Sequence, residues 1–393
     1  MKFSTNVLAA SESQTLAIAA KAKIMRSKGI NVISLSTGEP DFATPNAAKE
    51  AAIQAIKDNF SHYTNPNGII ELREAVAERF RVNNGISSAT AETVLISTGA
   101  KQSIFNALLA LCNSEDTILI PSPYWVSYPA MVTMCGATPK FIETTFEERF
   151  LVTPEMLKKS LTPSTKAVFI NSPSNPTGSM YTRAQLQALV DVLKDHSCYI
   201  ITDEIYERIN FGTIEHCSLG SFPEIAERVI TINGVSKVYA MTGWRVGFLH
   251  CQEPLFKEIA KVQGQITSNP NSISQKATLA ALQYSDNDVI LMNEAFKKRA
   301  MFMCTLLDEI PNLSFLKPDG AFYVFVNIEK WLEGTTLTSA QFCESALDIE
   351  HLAVTPGEAF GKSGYVRFSF AASDDIIEEG VKRFRKALER ITK

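Results

Sequence analysis

Two rhythms of apolar and polar positions alternate along the middle of the chain. Short runs rich in β-branched residues at 94–97, 117–120, 167–170, 198–202, 229–232 and 245–249 read as strands. Longer stretches of helical period lie between them; Leu72, Val76 and Phe80 fall at i, i+4 and i+8, with charges on the rest of that helix. Strand and helix in alternation predict an α/β fold built on a largely parallel sheet, with helices on both faces. Thr44-Pro45 predicts a helix with proline at its first position. Ser373 reads as the N-cap of a final amphipathic helix whose apolar face is Ile377, Val381, Phe384 and Leu388. No internal repeat or low-complexity segment occurs, and the strand rhythm stops near residue 285.

A chain of 393 residues exceeds one ordinary core and predicts two unequal domains. With 45% apolar and 20% charged residues, a net charge of −4 and no long run of Lys and Arg, it does not read as a nucleic-acid surface. The first 23 residues have no sustained apolar core and no basic leader, so no secretion signal is expected, and no apolar stretch reaches membrane-spanning length. Seven scattered cysteines without a CxxC pair predict free thiols in a reducing cytoplasm. The five histidines show no metal-ligand spacing, and no metal is expected.

Ligands of such sheets sit beyond the carboxyl ends of the strands. After 94–97 comes Thr98-Gly99-Ala100-Lys101-Gln102, either a plain strand-to-helix turn or an anion site made of open backbone N–H groups. After 117–120, Trp125 stands among prolines, either a rim residue or a flat face for a planar ring. Asn175, in NSPSNPTG, is a structural turn residue or a hydrogen-bonding amide. Asp203 closes an apolar strand and must cap a helix or face a cation; Glu204 reads as an ordinary first-turn acid and Tyr206 supplies a phenol. After 229–232 comes NGVSKVYAMTGWRVGF, with Lys237 and Arg245 eight positions apart. An anion turn, an aromatic face, an amide, a carboxylate, an amine and a guanidinium together suit a planar, phosphorylated pyridine bearing an aldehyde. Lysine would bond the aldehyde, aspartate would pair with the ring nitrogen, and arginine would grip the phosphate.

The motifs STGEPDF (36–42), YTNPNGIIELREAV (63–76), STGAKQ (97–102), PYWVSYP (123–129), NSPSNPTG (171–178), DEIYE (203–207), SKVYAMTGWRVG (236–247) and VRFSFA (366–371) occur in that order. In this the chain resembles the class I pyridoxal-phosphate aminotransferases of fold type I, with the bacterial aspartate branch nearest. The resemblance implies a mostly parallel, seven-stranded mixed sheet sandwiched by helices. It implies a large cofactor-binding domain at 45–285 and a smaller α/β domain from both chain ends, 1–44 and 286–393.

Carried over by motif, Lys237 would hold the cofactor covalently, Asp203 would face its ring nitrogen, and Tyr206 and Asn175 would hydrogen-bond the ring oxygen. Trp125 would stack on the ring; Gly99, Ala100, Lys101, Ser236 and Arg245 would surround the phosphate turn. Arg367 would clamp the substrate α-carboxylate, with Gly38 closing over it, and Tyr63 would reach the phosphate of a neighbouring subunit in a homodimer with shared sites. The implied reaction moves an amino group between an L-amino acid and a 2-oxo acid, most simply aspartate and 2-oxoglutarate.

Two departures bear on substrate. No arginine precedes Ser268-Asn269-Pro270, which leaves Lys101 as the cation for a second carboxylate, and ASESQT (10–15) holds no basic residue of the kind found in prephenate-accepting relatives. The same scaffold also carries lyases, decarboxylases and ring-forming synthases. A non-catalytic sensor and a nucleotide-binding reductase are the other classes; the chain has no spare segment for a DNA-binding module, and the glycine turn lacks GxGxxG.

Overall fold

The computed structural model describes residues 3–11 and 14–392. Its centre is a seven-stranded sheet with the order Val94–Ser97, Gly247–His250, Val229–Gly234, Tyr199–Asp203, Thr165–Asn171, Thr117–Ser122, Thr138–Glu143. Only Gly247–His250 runs antiparallel to its neighbours. Residue alternation buries both faces: Phe169 and Ile201 pack beneath the helices Ala100–Leu111 and Leu255–Ile266, whereas Val168, Ile170 and Ile200 pack against Arg183–Leu193. The helix Ile70–Val82 buries Leu72, Val76 and Phe80, as its spacing predicts.

A second, antiparallel sheet orders Thr355–Pro356, Tyr365–Ser369, Tyr323–Asn327 and Ser314–Phe315. Ile33–Ser34 pairs in parallel with Leu352–Ala353, so the two ends of the chain meet here. The closing helix Asp374–Ile391 follows Ser373 and buries Ile377, Val381, Phe384 and Leu388. Near residue 285, where the strand rhythm stops, the helix Ser272–Tyr284 gives way at Ser285 to the long helix Asp286–Asp308.

Four local readings need correction. The strand expected from Arg245 begins at Gly247, because Arg245 itself adopts a left-handed φ of 55° after a single 3₁₀ turn. A non-glycine residue held there costs of order 1 kcal/mol, which surrounding contacts must offset. Pro45 is the N-cap of the helix Asn46–Lys57 and not its first residue. No helix follows Asp203; the chain turns instead. Glu204 is therefore not a first-turn acid: it is 1% exposed, and its carboxylate accepts from Thr202 and Ser218 on one oxygen and from Asn84 on the other, which also faces His216 Nε2.

Candidate active site

Five strand ends of the seven-stranded sheet open on one cavity of about 530 Å³, which Tyr323 and Arg367 of the second sheet and the segment Ser36–Glu39 complete. Asp203 closes the strand Tyr199–Asp203 and is 5% exposed. One oxygen accepts from the Tyr128 hydroxyl at 2.7 Å, the other from the Ile205 N–H at 3.2 Å. Burial pushes this carboxyl up to about 6, against the pull of those two hydrogen bonds. Tyr128 stacks on Phe169 with ring centroids 4.3 Å apart, which fixes the direction of its hydroxyl.

Lys237 lies across the cavity, its amine donating to the Gly38 carbonyl. Burial lowers this amine to about 8; Glu39 opposes the shift, and the Arg367 and Arg245 charges add to it. Half of it is then uncharged at pH 8, where an exposed lysine is almost wholly an ammonium. Reductive methylation of cofactor-free protein, followed residue by residue by mass spectrometry, should give Lys237 a midpoint about two pH units below the surface lysines. If Lys237 titrates along with them, its amine is not held as described.

The turn ahead of Ala100–Leu111 forms a cradle. Gly99 has φ 88°, and a methyl group on it would overlap the Arg245 guanidinium. The first N–H groups of the helix have no helical partner and face an anion favourably. The left-handed backbone at Arg245 brings its guanidinium to this turn, where Nη2 donates to the Thr98 carbonyl at 3.5 Å, while Nη1 donates back to the Thr242 carbonyl at 2.9 Å. Ser236 is buried beside them on the cavity wall.

At the other end Arg367 is 3% exposed. Its Nη1 donates to Asn175 Oδ1 at 2.8 Å and its Nη2 to the Ser36 carbonyl at 2.9 Å. Among the described residues its Nε has no partner, and no carboxylate pairs with it. A buried guanidinium without a counter-charge is costly, so the site favours an incoming carboxylate. Lys101 stands at the mouth, its amine 5.1 Å from the centre of the Trp125 ring and lowered by partial burial and by the Arg245 charge.

Gly38, Ala100, Lys101, Trp125, Asn175, Asp203, Tyr206, Ser236, Lys237, Arg245 and Arg367 thus all line the cavity. Gly99 stands behind it as the helix cap, and Tyr63 is 92% exposed and does not line it. Sequence reasoning missed Tyr128 and Tyr323, whose apolar settings read as core. It also missed that His216, Glu204 and Glu207 come within 4.8 Å of one another, although all four hydrogen-bond positions on the Glu204 carboxylate are already taken. Residues 12 and 13 of ASESQT lie outside the described residues.

The donor set fits a flat phosphorylated pyridine. The cradle at Gly99 and Arg245 would suit a phosphate, the buried Asp203 carboxylate a protonated ring nitrogen, and the Lys237 amine an aldehyde. Comparison with known proteins agrees. The family model for aminotransferase class I and II matches residues 30–384. An aspartate aminotransferase of Bacillus subtilis is 38% identical over 392 residues, covering 99% of this chain and 100% of the relative. An aspartate/prephenate aminotransferase of Nitrosomonas europaea is 40% identical, covering 99% and 100%. The solved aspartate aminotransferase from Thermus thermophilus with maleate superposes with a TM-score of 0.93 at 38% identity, covering 98% of this chain and all of that one. Family match, near-complete overlap with these relatives and a cavity built for the same cofactor lead to one assignment: the chain belongs to the class I and II aminotransferases and depends on pyridoxal phosphate.

Proposed function

We propose that this aminotransferase prefers aspartate with 2-oxoglutarate, and glutamate with oxaloacetate in reverse. The observation that carries this is the pair of cations lining the one cavity, the buried Arg367 at one end and the Lys101 amine at the mouth, one for each carboxylate of a dicarboxylic donor. The names of the relatives support it. The bound cofactor supplies an electron sink for the bonding pair left on the substrate Cα. Arg367 and Asn175 orient the α-carboxylate, and the Lys237 amine, lowered to about 8, takes the Cα proton and returns it on the cofactor side. Asp203 would keep a positive charge on the ring nitrogen; Tyr206 would hold the ring oxygen, Trp125 would cover the ring, and Ser236 and Arg245 would hold the phosphate.

Lys101→Ala tests the substrate assignment. Loss of a charge-assisted hydrogen bond costs roughly 1.5–3 kcal/mol. Catalytic efficiency for aspartate should therefore drop about ten- to a hundred-fold, while efficiency for alanine or phenylalanine barely changes. Equal losses for acidic and neutral donors would return Lys101 to the phosphate turn. A second reading comes from the Nitrosomonas relative and its aspartate/prephenate name; prephenate as acceptor in the same assay separates the two.

We also propose the division into a large unit at 45–285 and a small one at 1–44 with 286–393, supported by the two sheets and by the pairing of Ile33–Ser34 with Leu352–Ala353. A homodimer with shared sites is supported by Tyr63, 92% exposed on a loop held from behind: Gln275 donates to Thr64 Oγ1 at 3.1 Å and Gln263 to the Pro66 carbonyl at 2.6 Å. Exposed Phe3, Val7 and Leu8 add apolar surface that a second copy would cover. Mixing Tyr63→Ala chains with Lys237→Ala chains should restore activity in proportion to the hybrid dimers, each holding one intact site. Hybrids verified by native mass spectrometry that remain inactive would rule out a shared site. No described helix is long and apolar enough to cross a membrane. The seven cysteines are all free, which supports a place in the cytoplasm.

A further inference from the structure

Three tyrosines line the cavity, and the reaction outlined above has no use for the hydroxyl of Tyr323. Tyr323 lies on the strand Tyr323–Asn327 of the second sheet, and Tyr206 lies just past the end of Tyr199–Asp203 in the first. Their hydroxyl oxygens are 2.9 Å apart, and the residues are 1% and 3% exposed. Among the described residues each hydroxyl has the other as its hydrogen-bond partner. Two phenols in such a contact share one hydrogen; the one that accepts keeps its own for a third group.

The surroundings select the donor. The Arg367 guanidinium carbon stands 4.2 Å from the centre of the Tyr323 ring, and a positive charge over the ring favours electron withdrawal from its O–H. Burial raises both phenols and the Arg367 charge lowers both, but only Tyr206 also feels the Asp203 carboxylate, whose negative charge holds its proton more tightly. Tyr323 is thus the stronger donor and Tyr206 the acceptor, with the Tyr206 hydrogen left to point into the cavity. Gly38 preserves the arrangement, since a methyl group there would come within 3.2 Å of the Tyr323 hydroxyl. Arg367, Asp203 and Tyr128 are the charged and titratable groups that act on the pair, and Lys237, with Glu39 and Arg245 around it, lines the same cavity.

We propose that Tyr323 is a positioning residue of the reaction: it donates to Tyr206 Oη, aims the Tyr206 hydrogen at the cofactor ring oxygen, and makes that aim depend on whether a carboxylate occupies Arg367. A carboxylate on Arg367 cancels the charge above the Tyr323 ring, and the donor it strengthens weakens with it. The inference rests on the proposed place of Tyr206 beside the cofactor ring.

The test is a pH titration of the visible absorbance of cofactor-loaded enzyme, with and without succinate, a dicarboxylate that has no amine to transfer. Tyr323→Phe keeps the ring under Arg367 and removes only the hydroxyl. A less well aimed Tyr206 hydrogen stabilises an anionic ring oxygen less, so the titration midpoint of the variant should rise by about one pH unit, a tenfold change in proton affinity. The displacement of the midpoint by succinate should shrink relative to wild type. In a Tyr206→Phe background, adding Tyr323→Phe should move the midpoint no further. An unchanged midpoint in the single variant, or an equal further shift in the double variant, overturns the proposal. Loss of thermal stability with an unchanged midpoint also overturns it, by showing a packing role alone. A protein that takes up no colour, or whose band ignores amino donors, fails at the reading of the site; a coloured, responsive protein with an unmoved midpoint fails only at Tyr323.

Discussion

Lys237→Ala is expected to reduce turnover by about 10²- to 10⁴-fold, the range that a positioned acid–base group contributes, while leaving the fold intact. No other amine can stand in. Lys101 is on the far side of the cavity against Trp125, whereas the Lys237 amine reaches the Gly38 carbonyl and the edge of the space between Arg367 and Asp203. The fold should hold because the lysine is a cost to it. Its amine is lowered from 10.5 to about 8 in the folded chain, so the folded state binds this proton less well than the unfolded one. That penalty is fully present below pH 8 and is relieved as pH rises from about 8 towards 10.5. Alanine removes it, and the cofactor-free variant should melt no lower than wild type at pH 7. Circular dichroism and steady-state kinetics on the same sample decide the matter. Turnover above a hundredth of wild type would mean that the proton is moved by another group.

The features legible in the sequence were those with a local cost. An aspartate at the end of a buried apolar strand must be stabilised by something, and Asp203 stood out on that ground before its partners were known; Asn175 and Lys237 each allowed an ordinary structural reading and stood out only because five strand ends meet on one rim. The parallel strands were legible because both faces are buried and the runs are continuous. The edge strand Thr138–Glu143 escaped, since Pro139 and Lys140 break the run and Ile142 alone is buried. Much of the second sheet escaped because Ser314–Phe315 and Thr355–Pro356 are two residues long, too short to show a period. Arg245 sits in a run that favours strand, and its left-handed backbone goes with a bond from its guanidinium to the Thr98 carbonyl, 147 positions away, which no local pattern shows. Tyr128 and Tyr323 lie in apolar surroundings where a tyrosine is indistinguishable from a phenylalanine; what matters is the hydroxyl, and its partners Asp203 and Tyr206 are 75 and 117 positions away.

Asp203→Asn should slow removal of the Cα proton by roughly 10²- to 10³-fold, the scale seen when one preorganised electrostatic partner is lost, and should weaken cofactor binding far less. The amide fits the hole that the carboxylate leaves: its oxygen can accept from Ile205 N–H and its nitrogen can donate to the Tyr128 hydroxyl, which is free to rotate and accept. The charge is what disappears. Without it a ring nitrogen placed there would have no buried anion to keep it protonated, and the electron sink would be lost. The cofactor-free protein should respond in the opposite sense. The Asp203 carboxyl is raised from 3.8 to about 6 by burial, so the folded chain binds its proton more tightly than the unfolded one, and stability falls as pH rises from about 4 to 6. Above pH 6 the full cost of the buried charge is present, and the asparagine variant, which has no charge to bury, should melt higher than wild type there and converge with it near pH 4. Transient kinetics with a donor deuterated at Cα supply the catalytic half of the test: the isotope effect should grow in the variant as proton removal becomes limiting. An unchanged rate, with or without a change in melting, would reduce Asp203 to the cap of the turn at Ile205.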